Sequence, residues 1–439
     1  MKPEIIVRIH ELGPIKDAEL RLSPMLLITG NSNMGKSYVN YLFYYLMRSL
    51  TWDMFQPLIT KKCDRMKKED ADFSFKITEN DIRRWLKENA TPFLRQFLGD
   101  DSLICDVDFI LSFETLFTDS SLNINYHREF VKAAVEAMPD TVLCTVNVNG
   151  EISSTSSYVS DRRIEMQQLA QTVSLFLQKQ MFGHNVLKSV IMPPARGSYV
   201  GENFSAKEMI STQAGMYKFF LNDYDLALHK GSIDNDLTND EQFFQSRIKA
   251  LIKGELITEE NKQYLELNNG KKIPLTAAAS SIKELSPFLF FLKNWSRYQF
   301  SFCIEEPEAH LHPIMQKDIA DLLAACLNKG MYFQMTTHSD YFLQRINQLI
   351  LLGDFKKKKP TQYEEFRKSH ALNQRFYLDR ESVSCYFFHE DDNDQIKIEE
   401  LEIGEQGLPL TTFFGVVREI TEFGDELSIA LNPEEYRND

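Results

Sequence analysis

The sequence predicts an α/β fold, and three stretches predict it. Met25-Leu26-Leu27-Ile28-Thr29 is a continuous apolar run, as expected of a buried strand, and it leads through a glycine-bounded loop into a helix. Phe300 to Ile304 is a second apolar strand, ending on the paired carboxylates Glu305 and Glu306. Met331 to Thr336 is a third, running into Thr337-His338-Ser339-Asp340. Strands alternating with helical segments are the pattern of a βα-built sheet.

The elements follow in order. Ile5, Val7 and Ile9 mark a first strand, Gly13-Pro14 a turn, and the alternating Ala18, Leu20 and Leu22 a second strand. After Ser37, the residues Tyr38, Leu42, Tyr45 and Leu46 recur at helical spacing. From about 60 to 260 the chain changes character. Long polar helices are predicted at Glu79 to Phe97, Asp161 to Phe182 and Lys207 to Leu228. Short β-like segments separate them at Cys105 to Phe113, Leu122 to Tyr126 and Thr141 to Ile152, the last with an Asn149-Gly150 turn. This predicts a head split into 1–60 and 245–439 around an inserted, mainly helical domain over 61–244. The β/α rhythm returns with a strand at Tyr264 to Leu267 and helices at Leu285 to Trp295 and Pro313 to Asn328. Tyr386 to Ile403 reads as a hairpin with an acidic turn, and Leu410 to Phe423 as a closing helix.

Composition narrows the function classes. At 439 residues, 43% hydrophobic and 26% charged, the chain can bury a large core and is not of the disordered type. No apolar run approaches the roughly 20 residues needed to span a bilayer, so no membrane role is expected. The start lacks the charged-then-apolar pattern of a signal peptide. Six scattered cysteines form no C-x-x-C pair, which suits a reducing cytoplasm. A net charge of −14 disfavours general nucleic-acid binding, while leaving room for a local basic patch or a partner.

Gly30-Asn31-Ser32-Asn33-Met34-Gly35-Lys36-Ser37 fits G-x-x-x-x-G-K-[ST] in the strand–loop–helix setting that the motif requires. The glycines let successive N–H groups turn toward one point, and the helix N-terminus adds a positive dipole end. Lys36 is expected to reach the β- and γ-phosphates of ATP, and Ser37 to ligate Mg2+. Tyr38 completes the expected nucleotide-binding set. Glu305 is expected to serve Mg2+, through water, and Glu306 to act as general base on the attacking water. His338, at the end of the next apolar strand, is placed to hydrogen-bond the γ-phosphate. The alternative for each is plainer: a glycine-rich turn, a solvated acidic turn, a His that caps a helix.

With these residues in view, the chain resembles the ABC-type ATPases of the OLD, RecF and SMC group, a P-loop NTPase fold with an ABC-ATPase-like head. It looks closest to the stand-alone OLD-like ATPases of bacterial phage-defence systems. The resemblance rests on Gly13-Pro14-Ile15-Lys16-Asp17-Ala18 ahead of the phosphate loop, Ile304-Glu305-Glu306-Pro307-Glu308-Ala309-His310-Leu311-His312-Pro313, and Thr336-Thr337-His338-Ser339. It covers about 1–60 and 245–439. It implies a signature loop, matched here by Ala278 to Leu285, that completes the site of a second subunit. Ala279 and Ser281 stand where the group usually has Ser and Gly, so Ser280 or Ser281 is the candidate hydroxyl beside a γ-phosphate. A Ser-rich helix cap is the plainer reading of that segment. Ser189 to Met192 reads as an apolar strand, and Pro193-Pro194-Ala195-Arg196 after it also looks like a group feature; Arg196 either faces phosphate or a dimer partner, or is a surface residue.

The resemblance implies a Mg2+-dependent ATPase in which two heads sandwich ATP, forming a homodimer or higher homo-oligomer. Applied to this chain, it implies a subunit of an antiviral complex acting with a separate effector, a nuclease or toxin, with DNA or a phage component as a further candidate partner. The alternative is a RecF- or SMC-like ATPase of DNA repair or chromosome maintenance. Weaker signals are expected to be structural. His310 and His312 read as a loop entering a helix, Lys356 to Lys359 as a solvated loop, and His389 to Asp394 as a hairpin tip.

Overall fold

The structure is a computed structural model and describes residues 4–63, 71–112, 121–131, 141–159, 161–200, 215–229, 236–409 and 411–431. The chain opens with β1 (Glu4–Leu12), β2 (Ile15–Arg21) and β3 (Met25–Gly30), followed by α1 (Lys36–Ser49) and α2 (Trp52–Lys62). Next come β4 (Asp72–Thr78), α3 (Glu79–Leu98), β5 (Cys105–Ser112), β6 (Ser121–Val131), β7 (Thr141–Val148), β8 (Glu151–Val159) and α4 (Arg162–Phe182). β9 (Lys188–Met192) precedes a short 3-10 turn (Arg196–Tyr199), α5 (Gly215–Leu228) and α6 (Asn239–Ile252). β10 (Gly254–Glu259), β11 (Lys262–Leu267) and β12 (Lys272–Pro274) lead to α7 (Ser280–Trp295), β13 (Phe300–Glu305), α8 (Pro313–Leu327) and β14 (Tyr332–Thr336). The remainder is α9 (Asp340–Lys358), α10 (Pro360–Ser369), β15 (Val383–Glu390), β16 (Ile396–Glu400) and α11 (Thr411–Leu431).

The expected α/β class is what the structure has. A six-stranded sheet in the order β16-β15-β3-β14-β13-β9 forms the centre, parallel throughout except at β16. β13 and β14 are buried along their whole length, which explains why they read as unbroken apolar runs. Register decides what their ends can do. Glu305 pairs with Thr336, and Thr336 with Ile28, so the ends of β13, β14 and β3 meet at one edge.

Strand alternation then assigns the faces. On β13, Phe300 and Phe302 pack edge-on against Phe291 of α7, and Phe302 also against Phe288. Cys303 points the other way, its thiol toward the Asn40 carbonyl of α1. Glu305, two residues on, shares that α1-facing side.

The segment 61–244 is more β-rich, and more tied to the rest, than a helical insertion. β5 pairs with β1, and β9 forms the outer strand of the central sheet beside β13. β4, β6, β7 and β8 make a four-stranded antiparallel sheet whose hairpin turns at Asn149-Gly150, both with positive φ. In β6, buried Leu122, Ile124 and Tyr126 alternate with polar residues, a period of two inside a polar stretch. The helix expected from Lys207 is described from Gly215, and residues 207–214 lie outside the described residues. An aromatic cluster of Tyr41, Tyr44, Tyr45, Phe93 and Phe97 joins α1 to α3.

Candidate nucleotide-binding site

The phosphate loop leaves β3 at Gly30, where φ is 117° and an added Cβ would stand 2.1 Å from the Phe388 carbonyl oxygen. Only glycine fits between these two strand ends. Asn33 and Gly35 have φ of 65° and 77°, so the loop curls back before α1 begins at Lys36. α1 has no side-chain N-cap, which leaves its first N–H groups facing the loop. The Lys36 ammonium donates to the carbonyls of Gly30, at 3.1 Å, and Asn31. Burial lowers its pKa, against the pull of Glu305 and Glu306.

Glu305 is the most constrained group in the site. Its carboxylate accepts from Ser37 Oγ at 2.8 Å, Asn40 Nδ2 at 2.7 Å and Thr336 Oγ1 at 2.9 Å. It is 4% exposed, and desolvation raises its pKa even though all three donors favour the anion. Ser37 and Asn40 lie three apart on α1 and so on one helix face. The Oδ1 of Asn40 is buried and has no hydrogen-bond partner among the described residues. Ser37 and Glu305 thus bring together a hydroxyl and a carboxylate, an all-oxygen donor pair suited to Mg2+. The described residues fit the ion on that ground.

Glu306 follows with φ of 47°, a left-handed conformation that turns the chain out of β13. Its N–H donates to the Thr336 carbonyl at 3.2 Å. Glu308 is buried and accepts from Thr337 Oγ1 at 2.7 Å and from the His338 N–H at 2.9 Å, which ties the β13 end to the β14 end. Burial, and then the nearby Lys36, lower the His338 pKa, against the pull of Glu306. A cleft of about 700 Å³ is lined by Ser32 to Tyr38, Tyr41, Glu305, Glu306, Thr336 and His338, with Pro14, Leu98 and Met216 at its walls.

The structure therefore gathers Ser32, Asn33, Met34, Gly35, Lys36, Ser37, Tyr38, Glu305, Glu306 and His338 around one cavity, with Gly30 and Asn31 held to it through Lys36. Ser280 and Ser281 do not line it. They begin α7, Ser280 exposed, behind an Ala279 N-cap that makes no side-chain cap bond. Arg196 is neither a surface residue nor free to meet phosphate. It is 2% exposed, and its guanidinium donates to the carbonyls of Pro193, Glu284, Glu305 and Glu306. The sequence assigns no role to Asn40, and names Thr336 only as part of the run before His338, not as a partner of Glu305. The available signal for Asn40 is an amide one turn after Ser37, on the helix face that Phe43, Tyr44 and Met47 continue.

The weaker signals also have places. His312 is the N-cap of α8, its ring nitrogen accepting from the Ile314 N–H. Lys356 to Lys358 form the last turn of α9 rather than a loop, where cations meet the negative end of the helix dipole. Lys356 lies over the Tyr377 ring at 3.6 Å.

Residues 221–343 match the family AAA_15, AAA ATPase domain. That stretch holds Ser280, Glu305, Glu306 and His338, and the likeness supports an ATPase with a nucleotide ligand. No curated protein matches the sequence. Among solved structures, an SMC head bound to the C-terminal winged-helix domain of ScpA is 12% identical, with a TM-score of 0.38 over 92% of this chain and 98% of that one. The SMC head domain from Thermotoga maritima is 10% identical, TM-score 0.34, over 92% and 100%. An SMC head with an extended coiled coil, bound to the C-terminal domain of ScpA derived from Pyrococcus furiosus, is 10% identical, TM-score 0.36, over 95% and 100%. At these levels the likeness supports no inference about function. No helix among the described residues is long and apolar enough to cross a membrane.

Proposed function

We propose that this chain is a Mg2+-dependent ABC-type ATPase whose bound ATP closes a homodimer. The observation that carries the reading is the 2.8 Å contact between Ser37 of the phosphate loop and Glu305 of the acidic strand end, in the cleft that Lys36, Glu306 and His338 also line. Loop N–H groups and Lys36 hold the triphosphate. Ser37, and Glu305 through water, would hold Mg2+, which when bound would offset charge on the phosphates. Glu306 takes a proton from water as the water oxygen bonds to the γ-phosphorus and the bond to the ADP oxygen breaks. His338 hydrogen-bonds the γ-phosphate. Ser280 or Ser281, at the uncapped start of α7, meets the γ-phosphate of a second copy, so hydrolysis loosens the pair.

On this reading the head is 1–60 and 245–439 completed by β5 and β9, and the rest of 61–244 changes position when hydrolysis loosens the pair. The finer setting is a cytoplasmic phage-defence complex with a separate nuclease or toxin as effector. Its support is the motif combination and the acidic chain, which favours a protein partner over bare DNA. The test is ATP turnover by wild type and by Glu306→Gln. The variant is expected to bind ATP, lose turnover by about 100-fold or more, and accumulate an ATP-dependent dimer in light scattering. Normal turnover by that variant would remove Glu306 as the base.

A further inference from the structure

Arg196 makes more contacts than a buried ion pair needs. Its Nε donates to the Glu284 carbonyl at 2.9 Å and lies 3.6 Å from the Glu284 carboxylate. Nη1 donates to the carbonyls of Pro193 at 3.2 Å and Glu305 at 2.8 Å, and Nη2 to that of Glu306 at 3.4 Å. One guanidinium thus joins the exit of β9, the first turns of α7 and the exit of β13. The approach to α7 is close: a Cβ on Gly197 would stand 2.9 Å from the Glu284 carboxylate.

Glu306 needs such support. Its φ of 47° is a conformation a non-glycine residue holds only when its surroundings impose it. Its N–H is fixed by Thr336 and its carbonyl is shared by the Ala309 N–H, at 3.0 Å, and Arg196, at 3.4 Å, while no hydrogen bond among the described residues fixes its carboxylate. The backbone of this turn therefore sets where the Glu306 side chain leaves the chain, and with it the space its carboxylate can reach. Glu284 sits four residues along α7 from Ser280, one helical turn away. A displacement at the start of the helix reaches the Glu284 carbonyl as a rigid-body movement, and so reaches Arg196.

We propose that Arg196 is a positioning residue that holds the Glu306 turn in its reactive conformation and couples it to the start of α7. This rests on the reading of Glu306 as the base and of α7 as the element that meets a second copy's nucleotide. Arg196 touches no reacting atom; it acts through the peptide carbonyls of Glu305 and Glu306.

The test is Arg196→Lys, with Glu284→Gln as a second variant should the first fail to fold. Lysine keeps the charge, but one ammonium cannot serve four carbonyls spread around a planar fork. A base misplaced by a fraction of an ångström is expected to cost about tenfold or more in kcat, with KM for ATP and affinity for a fluorescent non-hydrolysable ATP analogue within about twofold of wild type. Glu284→Gln keeps the backbone contact and loses the counter-charge, so a smaller fall, about threefold, is expected with the same unchanged KM. A kcat within about twofold of wild type for the folded variants, while Glu306→Gln is inactive, overturns the positioning role and leaves the site reading standing. A parallel loss of kcat, analogue affinity and thermal midpoint also overturns it, because a merely structural residue behaves that way. If Glu306→Gln turns over ATP like wild type, the site reading itself fails, and the proposal falls with it.

Discussion

Two turns in this chain follow an apolar strand with clustered acids, and their carboxylates end in opposite surroundings. β13 ends on Glu305 and is followed by Glu306 and Glu308; Glu305 and Glu308 are buried and bonded to hydroxyls from other elements. After the core of β15 come Glu390, Asp391, Asp392 and Asp394, all partly or fully exposed. There Asp391 Oδ1 accepts from the N–H groups of Asn393 and Gln395, both at 2.9 Å, and Oδ2 lies 3.6 Å from Lys397 of β16, so the carboxylate bonds only within its own hairpin. The difference lies in the strands. β13 sits between two parallel neighbours and ends level with Thr336, facing α1. β15 pairs with β3 only as far as Phe388 and Gly30, and its acids lie beyond that point, where the chain folds back antiparallel into β16. Acid content alone does not separate the two; the register of the strand end does.

The largest effect that would sharpen this contrast belongs to the phosphate loop that Glu305 faces. Lys36→Ala removes a cation whose charge-assisted bonds to phosphate contribute about 1.5–3 kcal/mol each. ATP affinity should fall by about 100-fold, read by titration of a fluorescent ATP analogue. Wild-type affinity in this variant would detach the loop from nucleotide binding, and the β13 turn would lose its claim to differ from the β15 turn.

Glu305→Gln comes next. Turnover is expected to fall by about 100-fold, because a neutral amide replaces the carboxylate proposed for Mg2+. Stability should move the other way. Burial raises the Glu305 pKa above 4.5, so the fold favours the protonated form. That contribution is present at low pH and is lost as pH rises from 4.5 through the raised value. Without nucleotide or Mg2+, the wild-type thermal midpoint should therefore decline over that window, and the Gln variant should decline less. The hydroxyls of Ser37 and Thr336 can reverse and accept from the new amide. A Gln variant less stable than wild type near neutral pH would mean that the three donors outweigh desolvation and that the network is built for the anion.

Much of this site was legible in the sequence because its chemistry sits at strand ends in short contiguous runs. Gly30 to Ser37, Glu305-Glu306 and His338 each follow an apolar strand, and parallel pairing of those strands brings them to one edge. Residues whose contacts are made across the fold were not legible. Nothing near Arg196 in sequence indicates that the carbonyls of Glu305 and Glu306, more than 100 positions away, take its donors. β9 was legible as a strand, but not as the outer strand of the central sheet, because pairing with β13 leaves no local mark. The β4-β6-β7-β8 sheet was under-read for a different reason. Its strands carry many polar residues, so their alternation is hard to distinguish from polar helix and loop.

The smallest expected effect tests the exposed side of the contrast. In Asp391→Asn the side-chain oxygen can still accept from Asn393 and Gln395, and only the charge is lost. Those two N–H groups hold the Asp391 carboxyl below its ordinary pKa, so the turn favours the anion and that small contribution fades as pH falls through the lowered value. At neutral pH, turnover and ATP affinity should stay within about twofold of wild type, since the turn touches neither the phosphate loop nor the β13 acids. A tenfold loss of turnover in this variant would give the β15 turn a part in the chemistry, and the separation of the two acidic turns by strand register would then be wrong.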